Sequence, residues 1–174
     1  MNNIPRRVLV ALGTNMAHRA LAGPALLAAA LDEMRKSPLV IRALSNIWET
    51  APWPPSDQAT FFNAVVAVDW EEHAPQAMFD GLRRIEQKFG RERRERWGPR
   101  TLDLDLLDVA GAIGEFGPIT LPHPRLAERA FVLAPLAQAA PGWRHPVTGC
   151  DAVEMLRTLA PGQLARDLGP FPSN

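Results

Sequence analysis

Apolar residues along this chain switch between a period of two and a period of 3.6, and the switches mark out its elements. Residues 8–12 are a continuous apolar run that reads as a buried strand. Gly13-Thr14-Asn15 closes it with turn chemistry, and a loop follows to Gly23. Pro24 suits a first helical turn. Leu27, Leu31 and Met34 then recur at i, i+4 and i+7, an amphipathic helix that stops before Ser37-Pro38. Residues 39–49 read as a second strand. Residues 50–57 carry Pro52, Pro54 and Pro55 around Trp53; prolines remove donors and stiffen the chain, so this is a loop of restricted shape. A third strand covers 61–70. Pro75 opens a second helix with the stripe Met78, Leu82, Ile85 and Phe89, and Gly90 caps its C-terminal end.

In residues 101–109, Leu102, Leu104 and Leu106 alternate with Thr101, Asp103 and Asp105, the pattern of a fourth strand with leucines towards a core. Residues 111–120 read as a hairpin connection with Gly114, Gly117 and Pro118 in the turns. Residues 126–136 predict a short helix or an irregular segment. A last helix is expected over 152–160, with Asp151 as N-cap and Pro161-Gly162 ending it. The order β-α-β-β-α-β is the ferredoxin-like arrangement, an α+β fold with an antiparallel sheet and helices on one face. The hairpin and the C-terminal helix are additions to that core. No repeat or linker interrupts it, and one domain over residues 1–174 is the simplest reading.

The fourth strand also carries candidate chemistry. Asp103 and Asp105 project from the same face, with carboxylates roughly 6–7 Å apart from the strand rise. Two such charges repel unless a cation lies between them, and a hard divalent ion such as Mg2+, with phosphate oxygens, is the usual solution. Arg91, Arg93, Arg94, Arg96 and Arg100 lie just upstream, with the forked donors that suit phosphate. Either feature alone is commonly a solvated surface. Their adjacency, with the tight turn Trp97-Gly98-Pro99 between them, points to phosphoryl transfer on a nucleotide. Trp53 is either a packing anchor or a ring that covers a ligand. His123, between Pro122 and Pro124, is either structural or a side chain held for function.

Composition narrows the classes. The 174 residues are 47% hydrophobic, enough for a real core, and 19 Lys+Arg balance 19 Asp+Glu. A general nucleic-acid binder would show a basic excess. Cys150 is the only cysteine, so no disulfide framework or Cys/His zinc spacing exists. The apolar run after Arg6 and Arg7 is too short for a secretory segment, and no stretch has membrane-spanning length. A soluble, cytoplasmic protein is expected.

With these residues laid out, the chain resembles the 6-hydroxymethyl-7,8-dihydropterin pyrophosphokinases of folate biosynthesis. The likeness is carried by Arg96-Trp97-Gly98-Pro99-Arg100-Thr101-Leu102-Asp103-Leu104-Asp105-Leu106. It is supported by Leu12-Gly13-Thr14-Asn15, by Asp57-Gln58 with Phe61-Phe62-Asn63, by Arg84-Ile85-Glu86 with Gly90-Arg91, and by Leu121-Pro122-His123-Pro124 with Glu128-Arg129-Ala130-Phe131. The resemblance implies transfer of pyrophosphate from ATP to the hydroxymethyl oxygen of a reduced pterin, with release of AMP. It implies two Mg2+ ions on Asp103 and Asp105, and Arg91 and Arg100 as catalytic arginines on the transferring phosphates. ATP contacts would come from Arg91, Arg93, Trp97, Arg100, Leu106, His123 and Arg129. The pterin would stack between Phe61 and Phe131, be read by Asn63, and be lined by Thr50, Pro52 and Trp53. Glu86 aligns near the site. A monomer is expected, with these small molecules as its partners and no nucleic acid or membrane.

Two other classes compete. One is a homologue that binds pterin or nucleotide without turnover; intact Asp103, Asp105, Arg91 and Arg100 argue against it and leave it open. A ferredoxin-like RNA-binding module would want exposed sheet aromatics and a basic balance, which the charge count does not give.

Overall fold

The computed structural model describes residues 7–70, 74–91, 100–163 and 165–172. The elements in chain order are β1 (Arg7–Thr14), α1 (Gly23–Arg35), β2 (Val40–Leu44), β3 (Trp48–Thr50), β4 (Phe61–Asp69), α2 (Pro75–Lys88) and β5 (Asp103–Val109). After them come β6 (Gly114–Phe116), β7 (Ile119–Leu121), a 3-10 turn (Leu126–Glu128), α3 (Ala130–Ala139), α4 (Ala152–Thr158) and β8 (Ala165–Asp167). The main sheet is antiparallel, in the order β5-β1-β4-β3-β8, and β2 also pairs with β4. The order β5-β1-β4, continued on the far side of β4 by β2 and β3, is the ferredoxin-like sheet.

Helices cover both faces of the sheet, not one. Val8, Val10, Leu12, Val66, Val68, Leu104 and Leu106 pack with Leu27, Leu31, Met34, Met78, Leu82 and Ile85 of α1 and α2. Leu9, Val65, Ala67 and Leu107 turn the other way, onto Val132, Leu133 and Leu136 of α3 and Met155 of α4. A strand with both faces buried loses its alternation and reads as a continuous apolar run, as 8–12 does. The segment 126–136, expected to be short or irregular, is the 3-10 turn followed by the ten-residue α3, with Pro135 inside it.

The expected strand 39–49 is two strands. Beyond a register shift between Ile41 and Ala43, Ser45 stays on the ladder in its own way: its N–H donates to Val65 O at 3.0 Å, and its Oγ accepts Val65 N–H at 2.9 Å. Pairing with β4 resumes at Trp48. Gly90, at φ +69°, ends α2 as predicted. Asp151 caps α4 in a reciprocal box: its side chain accepts Glu154 N–H at 2.9 Å and its own N–H donates to Glu154 Oε2 at 2.8 Å. β6 and β7 form the expected hairpin. No helix among the described residues is long and apolar enough to cross a membrane.

Candidate active site

The face covered by α3 and α4 is only half apolar. Leu9, Val65, Ala67 and Leu107 occupy the covered half. With the period of two, the same face continues as Ala11 and Gly13 on β1, Asn63 and Phe61 on β4, and Asp105 and Asp103 on β5. The register joins Asn63, Gly13 and Asp103 in one row across the adjacent strands β4, β1 and β5. Over this polar half lies a cavity of about 270 Å³, lined by Gly13, Thr50, Ala51, Pro52, Trp53, Pro54, Pro55, Ser56, Gln58, Phe61, Asn63, Arg100, Asp103, Asp105, Arg129 and Phe131. Arg129 and Phe131 come from the entry to α3, with the Arg129 guanidinium carbon 5.5 Å from the centre of the Phe131 ring.

Every residue the sequence assigned to the pterin lines this one cavity: Thr50, Pro52, Trp53, Phe61, Asn63 and Phe131. Asn63 and Thr50 are buried, and Asn63 Nδ2 donates to Thr50 Oγ1 at 2.8 Å. Its carbonyl oxygen points towards Gly13, where an added β-carbon would lie 3.1 Å away.

On the β5 side, charges alternate. Asp103 is shared between Arg91, paired with Oδ1, and Arg100, paired with Oδ2. Arg91 is paired in turn with Glu86, a carboxylate only 4% exposed, whose Oε1 also accepts Leu104 N–H at 2.8 Å. Burial pushes the Arg91 guanidinium down, and the field of Asp105 opposes this. The same balance of burial against Asp105 lowers Arg129 and His123. His123 is half-buried; its N–H donates to Leu107 O at 2.9 Å and its Nδ1 accepts Arg125 N–H at 3.2 Å. Leu106 is buried in the core on the opposite face, so any contact it makes with a nucleotide runs through its backbone. Arg93 and Trp97 lie outside the described residues.

The β5 pair fits a hard divalent cation. Its donors are carboxylate oxygens on one face of a strand, and both carboxylates line the cavity, with Asp103 Oδ1 buried against the Arg91 guanidinium. No group of three or more His, Cys, Asp or Glu converges among the described residues. The remaining ligands would then be phosphate oxygens and water, the way Mg2+ is usually held.

Glu86, Gly13, Asn15 and Gln58 take part in this geometry without having been given roles from the sequence. Glu86 left a signal: at i+4 from Leu82, it is a charge on the buried stripe of α2.

The profile of the family described as 7,8-dihydro-6-hydroxymethylpterin-pyrophosphokinase matches residues 9–141. A 2-amino-4-hydroxy-6-hydroxymethyldihydropteridine pyrophosphokinase of Methylorubrum extorquens is 38% identical over 162 residues, covering 92% of this chain and 98% of that protein. The protein of the same name from Pseudomonas aeruginosa is 41% identical over 142 residues, covering 81% and 85%. Among solved structures, the wild-type HPPK-DHPS protein of Plasmodium falciparum superposes with a TM-score of 0.69 at 14% identity. That likeness covers 90% of this chain but only 43% of the other, and it speaks for the fold alone.

Proposed function

The chain belongs to the 7,8-dihydro-6-hydroxymethylpterin-pyrophosphokinase family and transfers pyrophosphate to hydroxymethyldihydropterin in folate synthesis; we propose that ATP is the donor, that two Mg2+ ions take part, and that the cavity over the polar half of the sheet is where the transfer occurs. The observation that carries this reading is one cavity lined both by the aromatic pair Phe61 and Phe131 with Asn63 and by Asp103, Asp105, Arg100 and Arg129.

Phe61 and Phe131 offer flat apolar faces to a pterin ring. Asn63, with one N–H engaged by Thr50, keeps its carbonyl oxygen and its second N–H for the ring's amide edge. Thr50, Pro52 and Trp53 line the rim of the pocket. Asp103 and Asp105 would hold the Mg2+ ions, whose chemistry there would be to neutralise phosphate charge. Arg91 and Arg100 are the catalytic arginines. Both pair with Asp103, and both have the forked donors that would engage phosphate oxygens. Arg93, Trp97, Leu106, His123 and Arg129 complete the nucleotide site, Leu106 through its backbone. The protein acts as a monomer in the cytoplasm.

The test is to mix the protein with ATP, Mg2+ and 6-hydroxymethyl-7,8-dihydropterin and to assay AMP. AMP that forms only with the pterin is the expected result. ADP as product would make the protein a simple kinase, and pterin binding without AMP would make it a non-catalytic relative.

A further inference from the structure

Asn15 directly follows β1 and lies between the proline-rich loop and the residues that lead into β5. Its Oδ1 accepts the backbone N–H of Arg100 at 2.8 Å. Its Nδ2 donates to Gln58 Oε1 at 3.2 Å and reaches Ala59 O at 3.4 Å. The flip of the amide is determined, because the Arg100 N–H needs an acceptor and the Ala59 carbonyl needs a donor. Gln58 and Trp53 both line the cavity, as do Arg100 and its ion-pair partner Asp103. One side chain therefore bridges the wall assigned to the pterin and the arginine assigned to the phosphates.

The bridge is separable from the fold. Asn15 N–H and Met16 N–H both donate to Arg100 O at 3.1 Å, and Thr14 Oγ1 donates to Thr101 O at 2.6 Å. These bonds hold the Arg100 main chain whatever side chain stands at position 15. What the amide adds is the tie from that main chain to the loop.

We infer that Asn15 is a positioning residue that couples the two substrate subsites: its amide makes the setting of the loop at Gln58 and the setting of Arg100 depend on each other, so that nucleotide and pterin strengthen each other's binding through it. The inference rests on the assignment of the cavity under Proposed function. Asn15 acts through Gln58 and Arg100, and the coupling must be reciprocal, since linkage between two binding equilibria is symmetric.

Asn15→Asp is the discriminating variant. It is nearly isosteric, keeps an acceptor for the Arg100 N–H, and puts an oxygen where the Ala59 carbonyl needs a donor. Pterin Kd is measured with and without Mg2+ plus an ATP analogue that cannot be cleaved between its α- and β-phosphates, and the ratio of the two values is the coupling. Gln58→Ala cuts the same tie from the loop side. We expect the ratio to fall about fivefold or more in each single variant and no further in the double variant, with the nucleotide Kd alone changed by no more than about twofold. A ratio in Asn15→Asp equal to that of the unaltered protein would overturn the inference. So would a pterin affinity that drops by one factor with and without nucleotide, since ordinary loop packing would do that. An unaltered protein that binds pterin with a ratio of one overturns the coupling alone; one that binds no pterin overturns the functional reading and the coupling with it.

Discussion

The two β5 aspartates share a face and a cavity but not an electrostatic setting, and this separates their variants. Asp103 is paired with both Arg91 and Arg100, whose side chains are 12% and 29% exposed. Asp105 influences Arg91, His123 and Arg129 through its field and has no ion pair among the described residues. Removing one partner from a buried pair costs about 3–5 kcal/mol. Solvent reaches Arg100 and screens that side, so Asp103→Asn should lose about 1–3 kcal/mol of stability in the absence of metal and nucleotide. Asp105→Asn should lose less than about 1 kcal/mol. At this chain length each kcal/mol moves Tm by about 2–4 °C, so melts without Mg2+ resolve the two. Turnover should fall at least ~10²-fold in both, because each loses a charge that stabilises the metal-bound phosphates. Equal Tm values for the two variants would refute the ion-pair account. Near-normal AMP formation by Asp105→Asn would refute the metal assignment, whatever the melts showed.

Other outcomes follow from single contacts. In Gly13→Ala the new β-carbon would lie 3.1 Å from Asn63 Oδ1. Displacing that oxygen should cost about one hydrogen bond, ~1 kcal/mol or roughly fivefold in pterin affinity, and an unchanged pterin titration would exclude the crowding. Thr50→Val keeps the shape but strands the buried Asn63 Nδ2–H, so urea unfolding should report a loss of about 1–3 kcal/mol. Burial lowers the His123 pKa below its unfolded value of about 6.5. Below that pH the unfolded chain binds more protons than the folded one, so stability is lost as pH falls through and below ~6.5. The Tm of His123→Gln should therefore drop less than that of the unaltered protein between pH 8 and pH 5; parallel drops would count against the burial argument.

Local pattern was enough for some elements and blind to others, for identifiable reasons. The stripe of α2 and the alternation of β5 were legible because α2 buries one face, and the start of β5 buries Leu104 while Asp103 and Asp105 face the cavity. β3 was hidden because Ser45 replaces a backbone acceptor with its own hydroxyl, which lets the strand step aside without any turn residue to announce it. α3 was hidden because Ala130, Val132, Leu133, Ala134, Pro135 and Leu136 are all buried; a helix apolar all round has no stripe to read. β8 is three residues long, paired with β3 and tied by Arg166 Nε to Glu49 Oε2 at 2.9 Å, a contact between positions far apart in the chain.

The site divides in the same way. That Asp103 and Asp105 share a face follows from a period of two within seven residues. That Asn63 stands in line with them does not, because the line is made by the register of β1 against both β4 and β5. Gly13 is the middle of that line, and its missing side chain leaves the space between the oxygen assigned to the pterin and the carboxylate assigned to the metal. On the proposed assignment, a reduced pterin and a phosphate chain would meet across that space for the hydroxymethyl oxygen to reach phosphorus. The chemistry therefore depends on an absence at position 13 as much as on the charges beside it, and periodicity within any one strand cannot reveal an absence that matters only after three strands are aligned.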